Sequence, residues 1–517
     1  MKSFTPRRAS AAVIYLCLTL SAVAQIPIST IEELQLIGGD PAYPLDGDYL
    51  QTQDIDASVT ATWNKGAGFI PIGETSIEFM PQFLGSYDGG GHAISNLIIK
   101  RSNRFSVGLF HSFSSGELRN IVLENAWIEN REFGRITGGI VGYAWRGDIT
   151  NCRVSGFVHG ADGVRIPTPG AAPAGNAEKG AMPFVGPHTG GIVGIAHETN
   201  ISDCNVSGEV QGAELAGGVC ATIRLGDINR CTVTANITST VHAGGVCVDS
   251  IASYMARCHV RGAVRGAGDG GGIVVHTYGL TLGIGFGLYS YVVQSSADGI
   301  VDGDQAAGGI VGINYAGVVQ LCRNAATVKS RGSAGGLAGV NRYSITDSYS
   351  TGAIIGQSVA GGAIGEHHPL TADIVSRTYA SGPVIGDEAV GGLVGFNGGG
   401  TIGSSYWDVD ISGQDASAGG IGGTTAEMKR QSTFAGWDFS TVWRIEEGVG
   451  YPYLSALGDG HACIASVTTH SADWRAPLGR LDITELLRVV QLYNAGGYSA
   501  CPDAIPLTED GFRPASP

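Results

Sequence analysis

Ten times along this chain a turn or small residue leads into Gly-Gly or Val-Gly followed by an aliphatic residue. The marking glycines are Gly108, Gly139, Gly191, Gly218, Gly245, Gly272, Gly309, Gly336, Gly362 and Gly392. Their spacings are 31, 52, 27, 27, 27, 37, 27, 26 and 30 residues. A unit of about 27 residues recurring this regularly specifies a solenoid or a propeller. Each unit is a few short apolar runs cut by glycine, so it cannot bury its own apolar face. Stacking successive units does that.

Residues 216–244 show the unit: a glycine turn, a strand at Val219-Cys220-Ala221, a turn at Gly226-Asp227, and a second strand from Ile228 to Val233. A second column runs through Cys152, Cys204, Cys231, Cys258, Cys322, Ser348 and Thr378, with Val154, Val206, Val233 and Val260 two residues after the first four. Residues two apart on a strand share a face, so cysteines and valines are expected inside. These patterns predict an all-β, right-handed parallel β-helix. Ten rungs give a rod about 50 Å long.

The flanking segments break the period. Residues 1–24, with Lys2, Arg7 and Arg8 before an apolar run and Ala22-Val23-Ala24, read as a secretory signal peptide. Residues 25–105 read as an N-terminal cap and irregular first coils, with a brief capped helix at Ser29-Thr30-Ile31-Glu32-Glu33. The repeats occupy 106–407. Residues 408–460 read as a C-terminal cap whose Trp437, Phe439, Trp443, Tyr451 and Tyr453 form a lid over the exposed end of the core. Residues 461–517 read as a helical tail clipped by a disulfide between Cys463 and Cys501. Two intervals carry extra length: a proline-rich insertion between Gly160 and Gly186, and a longer unit from about Thr277 to Asp304, read as a hairpin or a larger coil.

The recurring Gly391-Gly392-Leu393-Val394-Gly395-Phe396-Asn397 and Gly308-Gly309-Ile310-Val311-Gly312-Ile313-Asn314 resemble the GLUG motif of bacterial surface proteins, and the resemblance extends over about residues 50–454. Such arrays look like right-handed parallel β-helices in adhesins, and they also accompany zinc peptidases that cut immunoglobulin A1. The resemblance implies an exported, surface-associated or adhesive role and no particular reaction. In the tail, Gly479 and Glu485 are similar to positions six and twelve of a dockerin or EF-hand half-motif, but the other ligand positions fall on Trp474, Ala476 and Leu478, which offer no oxygen. No cofactor is therefore expected; calcium at Asp482 and Glu485 is the weak alternative, and the same two residues serve as a reciprocal helix N-cap.

A net charge of −15, from 46 acidic and 31 basic residues, disfavours phosphate backbones, so no nucleic acid partner is expected. The mature chain shows no membrane span and is expected to be secreted or at the cell surface. His197-Glu198-Thr199-Asn200-Ile201 does not complete the H-E-x-x-H zinc peptidase pattern, and the histidines show no metal spacing. Glu366-His367-His368 reads as a solvated corner. Asp298, Asp302 and Asp304 read as Asp-Gly turns. Distinct chemistry must then come from the insertions. Tyr278, Phe286, Tyr289 and Tyr291 are the binding candidates, with rings suited to stacking on sugar faces. The expectation is a non-catalytic adhesion or scaffold protein that binds an extracellular glycan or a surface protein; the alternative is a β-helix enzyme acting on polysaccharide.

Overall fold

The computed structural model describes residues 25–74, 82–102, 104–131, 135–161, 186–282, 286–369, 374–457, 498–500 and 512–514. Ten short strands, from Ser106–Val107 to Ala389–Gly391, form one parallel sheet of ten. The longer segments form a 37-stranded parallel ladder around the rest of each coil. The chain is an all-β parallel β-helix. One regular rung runs through His242–Gly244, Cys247–Ile251, Tyr254–Ala256 and His259–Gly266 before the next begins at Gly270–Gly271.

The aliphatic residue after each glycine pair points inward. Ile192, Val219, Val246, Ile273, Ile310 and Leu337 are all fully buried. Their backbones are joined rung to rung: Val219 N–H donates to Val246 O and Val246 N–H to Ile273 O, both at 2.9 Å. At the second glycine of a pair, the next rung lies against the backbone. A Cβ on Gly218 would overlap Gly245 O and crowd Val233 at 2.7 Å. Gly218→Ala is therefore expected to spread two rungs and cost about 1–3 kcal/mol, read as a lowered denaturant midpoint. An unchanged midpoint would show that this close approach does not constrain the stacking.

The cysteine column is interior, as its alternation required: Cys152, Cys204, Cys231, Cys258 and Cys322 are buried and free, as are Cys220 and Cys247. Burial pushes the Cys322 thiol up to about 12. The column also includes two serines that spacing alone did not reveal. Cys258 N–H donates to Ser295 Oγ at 3.2 Å, and Thr378 N–H to Ser405 Oγ at 3.2 Å.

The expected continuous strand from Ile228 to Val233 is broken. It is split into Asp227–Asn229 and Thr232–Val233 because Arg230 is left-handed, φ 52°. The equivalent corner residues Asn151, Asp203, Arg257 and Asp347 share this conformation. Contacts between rungs offset its cost. Asn151 Nδ2 donates to Asn120 Oδ1 at 2.7 Å, and Arg230 makes two 2.6 Å bonds to Asp203.

At the N-terminal end, Thr30 and Glu33 form a reciprocal capping box on helix Ile31–Leu36, which turns Ile31 and Leu34 into the core. The coils before the repeats already stack in parallel, Ile26–Ile28 on Asp48–Gln51 on Ser86–Asp88. The C-terminal aromatic cluster corrects the expectation of an end lid. Ser405 faces inward, so by strand alternation Tyr406 faces outward and Trp407 inward. Trp407, with Val409 and Ile402, belongs to the end of the main core. Phe434, Trp437, Trp443 and Leu454 instead pack sideways on the outward tyrosines Tyr349, Tyr379 and Tyr406. Tyr349 and Tyr379 stack at 5.0 Å, nearly parallel.

Two further expectations change. Glu366-His367-His368 is no solvated corner at His367, which is fully buried. It continues an internal amide ladder in which Asn314 Nδ2 donates to Asn341 Oδ1 at 2.7 Å and Asn341 Nδ2 meets His367 Nδ1 at 3.2 Å. Asp298 and Asp302 lie within strand Ser296–Gly303 and not in turns. They sit opposite Arg261 and Arg265 of the preceding rung, so cross-strand charge pairing explains them.

Candidate functional site

The longer unit does contain a hairpin. Leu280–Leu282 pairs antiparallel with Phe286–Leu288, and the chain then rejoins the ladder at Ser290–Val293, beside Tyr254–Ala256. This excursion places Leu288 and Tyr289 at the rim of an outward face where Asp227, Tyr254 and Tyr291 form one column across successive rungs. Asp227, Ser253, Tyr254, Leu288, Tyr289 and Tyr291 line a shallow groove of about 300 Å³. Leu288, Tyr254, Tyr291 and Tyr289 are 42%, 39%, 39% and 38% exposed. Four large apolar side chains left open on one small patch distinguish it from scattered surface residues. Tyr254 and Tyr291 lie 6.1 Å apart, ring to ring, and Tyr289 stacks on Tyr343 at 5.0 Å. Asp227 stands exposed beside these rings, and desolvation by the neighbouring surface raises its carboxyl above the ordinary value.

Of the four expected binding residues, Tyr289 and Tyr291 therefore line one groove. Tyr278 lies elsewhere, and Phe286 contributes its backbone to the hairpin. A second aromatic groove, of about 450 Å³, is lined by Asn96, Ile98, Asn125, Trp127, Phe157 and Glu209. Trp127 and Phe157 are neighbours in the ladder with rings 4.8 Å apart, and Lys100 Nζ sits 5.0 Å over the Trp127 ring. Nothing in the sequence marked this pair, because each aromatic occupies an ordinary outward strand position.

Tyr278 belongs to a polar corner where the short sheet meets the adjoining wall. His242 opens a strand of the short sheet, and Asp269 immediately precedes the strand of that sheet one rung on; Asp249 and His276 come from the wall, directly opposite each other in register. Asp269 Oδ2 lies 3.1 Å from His276 Nε2 and 3.2 Å from His242 Nδ1, while its Oδ1 accepts from Ala306 N–H at 3.0 Å. His276 Nδ1 meets Asp249 Oδ1 at 2.9 Å. Burial works against the His276 imidazolium, but hydrogen bonds and charge from Asp249 and Asp269 outweigh it and push the ring up to about 9. Burial likewise opposes the Asp269 carboxylate, and the two histidines hold it well below the usual carboxylate range. Tyr278 flanks His276 at 5.9 Å and stacks on Tyr315 at 5.2 Å, with planes 9° apart.

The histidines lack any linear metal motif because Asp269 and His276 are only seven residues apart while their other partners lie one rung away. His242 and Asp269, like Asp249 and His276, are separated by 27 residues. Cys463, Cys501, Asp482 and Glu485, most of the Gly160 to Gly186 insertion and the proposed signal segment lie outside the described residues.

With the glycine turns and their rungs in place, the family comparison is direct: residues 134–158 and 186–211 match the model of the GLUG motif. The chain carries GLUG motifs. Over 136 residues, 26% of the chain, it is 38% identical to halomucin of Haloquadratum walsbyi. Over 127 residues, 24% of the chain, it is 34% identical to a protein named as a Gly-rich membrane protein of Evansella cellulosilytica. The matches span 1% and 12% of the lengths of those relatives. A crystal structure of a candidate immunoglobulin A1 protease from Bacteroides ovatus aligns over 84% of this chain and 92% of its own, with a TM-score of 0.32 and 15% identity. Among the described residues, no helix is long and apolar enough to cross a membrane.

Proposed function

We propose that this GLUG-bearing β-helix is an exported, non-catalytic adhesion or scaffold protein that binds an extracellular glycan through its aromatic flank. The observation that carries the reading is the groove of Tyr254, Leu288, Tyr289 and Tyr291 beside Asp227. Open rings present flat apolar faces to the C–H faces of a sugar, while the exposed Asp227 supplies acceptors for its hydroxyls. The rigid ladder beneath holds the rings in place, so little ordering cost opposes binding. The GLUG motifs, the charged and apolar order of residues 1–24, and the names of the two partial relatives support a surface location.

The test is a glycan array on the full chain, followed by calorimetry with the best ligand. Tyr289→Ala and Tyr291→Ala are each expected to weaken binding about tenfold or more, at unchanged melting temperature because both rings are half-open. Glycan binding that survives both substitutions would move the site off this flank. Appearance of new reducing or unsaturated ends in the bound polysaccharide would replace the adhesion reading with an enzymatic one.

A further inference from the structure

We propose that His242, Asp269 and His276 form a binding site for a divalent transition-metal cation of the zinc or cobalt class, supported by Asp249 behind His276. Among the described residues, this is the group of histidine and carboxylate donors whose ligand atoms all come within 4.8 Å of one another. Two imidazole nitrogens and one carboxylate oxygen are the donor set such ions take, with a fourth position left for water or a ligand.

The spacing fits. Four-coordinate ligands at bond lengths of about 2.0–2.1 Å stand about 3.3–3.4 Å apart. Asp269 Oδ2 already lies 3.1 Å from His276 Nε2 and 3.2 Å from His242 Nδ1. His242 is the accessible member, its side chain 23% exposed against 8% for His276 and 6% for Asp269. All three ligand atoms lie within 4.8 Å of one another, and His242 is the edge of the group nearest solvent.

His242 Nδ1 accepts the Asp269 backbone N–H at 3.2 Å, which turns its lone pair into the same small space as Asp269 Oδ2, also at 3.2 Å. A cation there takes the Nδ1 lone pair in place of that N–H and engages the carboxylate oxygen as well. At His276, Asp249 holds Nδ1–H and so directs Nε2 toward the metal, the carboxylate–histidine–metal arrangement that orients ligands in known sites. On binding, the cation replaces the proton on Nε2, which leaves to solvent.

The experiment is titration of the purified, untagged full chain with Zn²⁺ or Co²⁺ alone after chelator treatment, followed by calorimetry, melting temperature and the visible cobalt spectrum. The expected result is one saturable site in the micromolar range or tighter, a raised melting temperature, and a cobalt spectrum of low coordination number. His276→Gln and Asp269→Asn are expected to weaken binding at least 100-fold, and Asp249→Asn about tenfold with the stoichiometry kept. His242→Gln, at the exposed edge, keeps the test decisive even where a buried variant fails to fold. No saturable binding by the native chain overturns the proposal. So does equal affinity in folded His242→Gln. Because the site lies apart from the Tyr289 groove, glycan binding and metal binding fail or survive separately.

Discussion

Val246→Asp is expected to destabilise the central rungs by about 4–5 kcal/mol, enough to leave much of the protein insoluble or open at that point. Val246 is fully buried between Val219 and Ile273 in the inward column, and its backbone is bonded to both neighbouring rungs. A carboxylate there has no cation to pair with, and a protonated acid still lacks partners among valines and isoleucines. Val246→Ala removes packing without adding a polar group and is expected to cost about 2 kcal/mol, so the difference between the two isolates the burial of charge. Denaturant unfolding followed by circular dichroism measures both, and hydrogen exchange should show the rungs between Val219 and Ile310 opening first. A Val246→Asp protein with unchanged midpoint and protection would contradict the stacked column.

Trp443→Ala is expected to cost about 3–5 kcal/mol and to free the segment from Thr425 to Leu457 from the side of the last rungs. Trp443 is the largest fully buried side chain of the structure. Its ring lies 4.3 Å from Trp437 and about 6 Å from both Tyr349 and Tyr379, and its Nε1–H points to Asp347 Oδ1 at 3.4 Å. Asp347 in turn holds the left-handed corner through two bonds to Arg377. Loss of the ring therefore loosens both the lateral cover and that corner. In a repeat array each rung touches only its neighbours, so the damage should stay near the C-terminal end. Limited proteolysis should cut between Thr425 and Leu457 first, while exchange protection around Val219 remains. Equal loss of protection along the whole rod would show global cooperativity instead.

The two grooves and the corner differ in how far they could be read from residue order. Tyr289 and Tyr291 stood out because a unit ten residues longer than its neighbours had to leave the ladder and return, and insertions carry the chemistry a flat repeat lacks. Trp127 and Phe157 gave no such signal; they become a pair only because ladder register sets one above the other. The inward cysteines were legible from alternation. The lateral position of the aromatic cover was not, because it follows from which of Ser405, Tyr406 and Trp407 faces in, and that choice depends on the left-handed corner at Ser404.

Periodicity is a property of residue order, so the sequence alone determined the β-helix, its rung length, the inward aliphatic and cysteine columns, and the place of the hairpin. Many contacts at the polar corner lie between rungs, 27 residues apart along the chain, and no local pattern records them. Only the tertiary structure decided that His242, Asp249, Asp269 and His276 meet at one corner, that His367 completes a buried amide ladder, and that Tyr278 joins His276 and Tyr315 while Tyr291 joins Tyr254. The physical reason is register: a short rise between parallel strands brings residues one full turn apart into contact, and the bend at each glycine pair selects which side chains of two different sheets face each other.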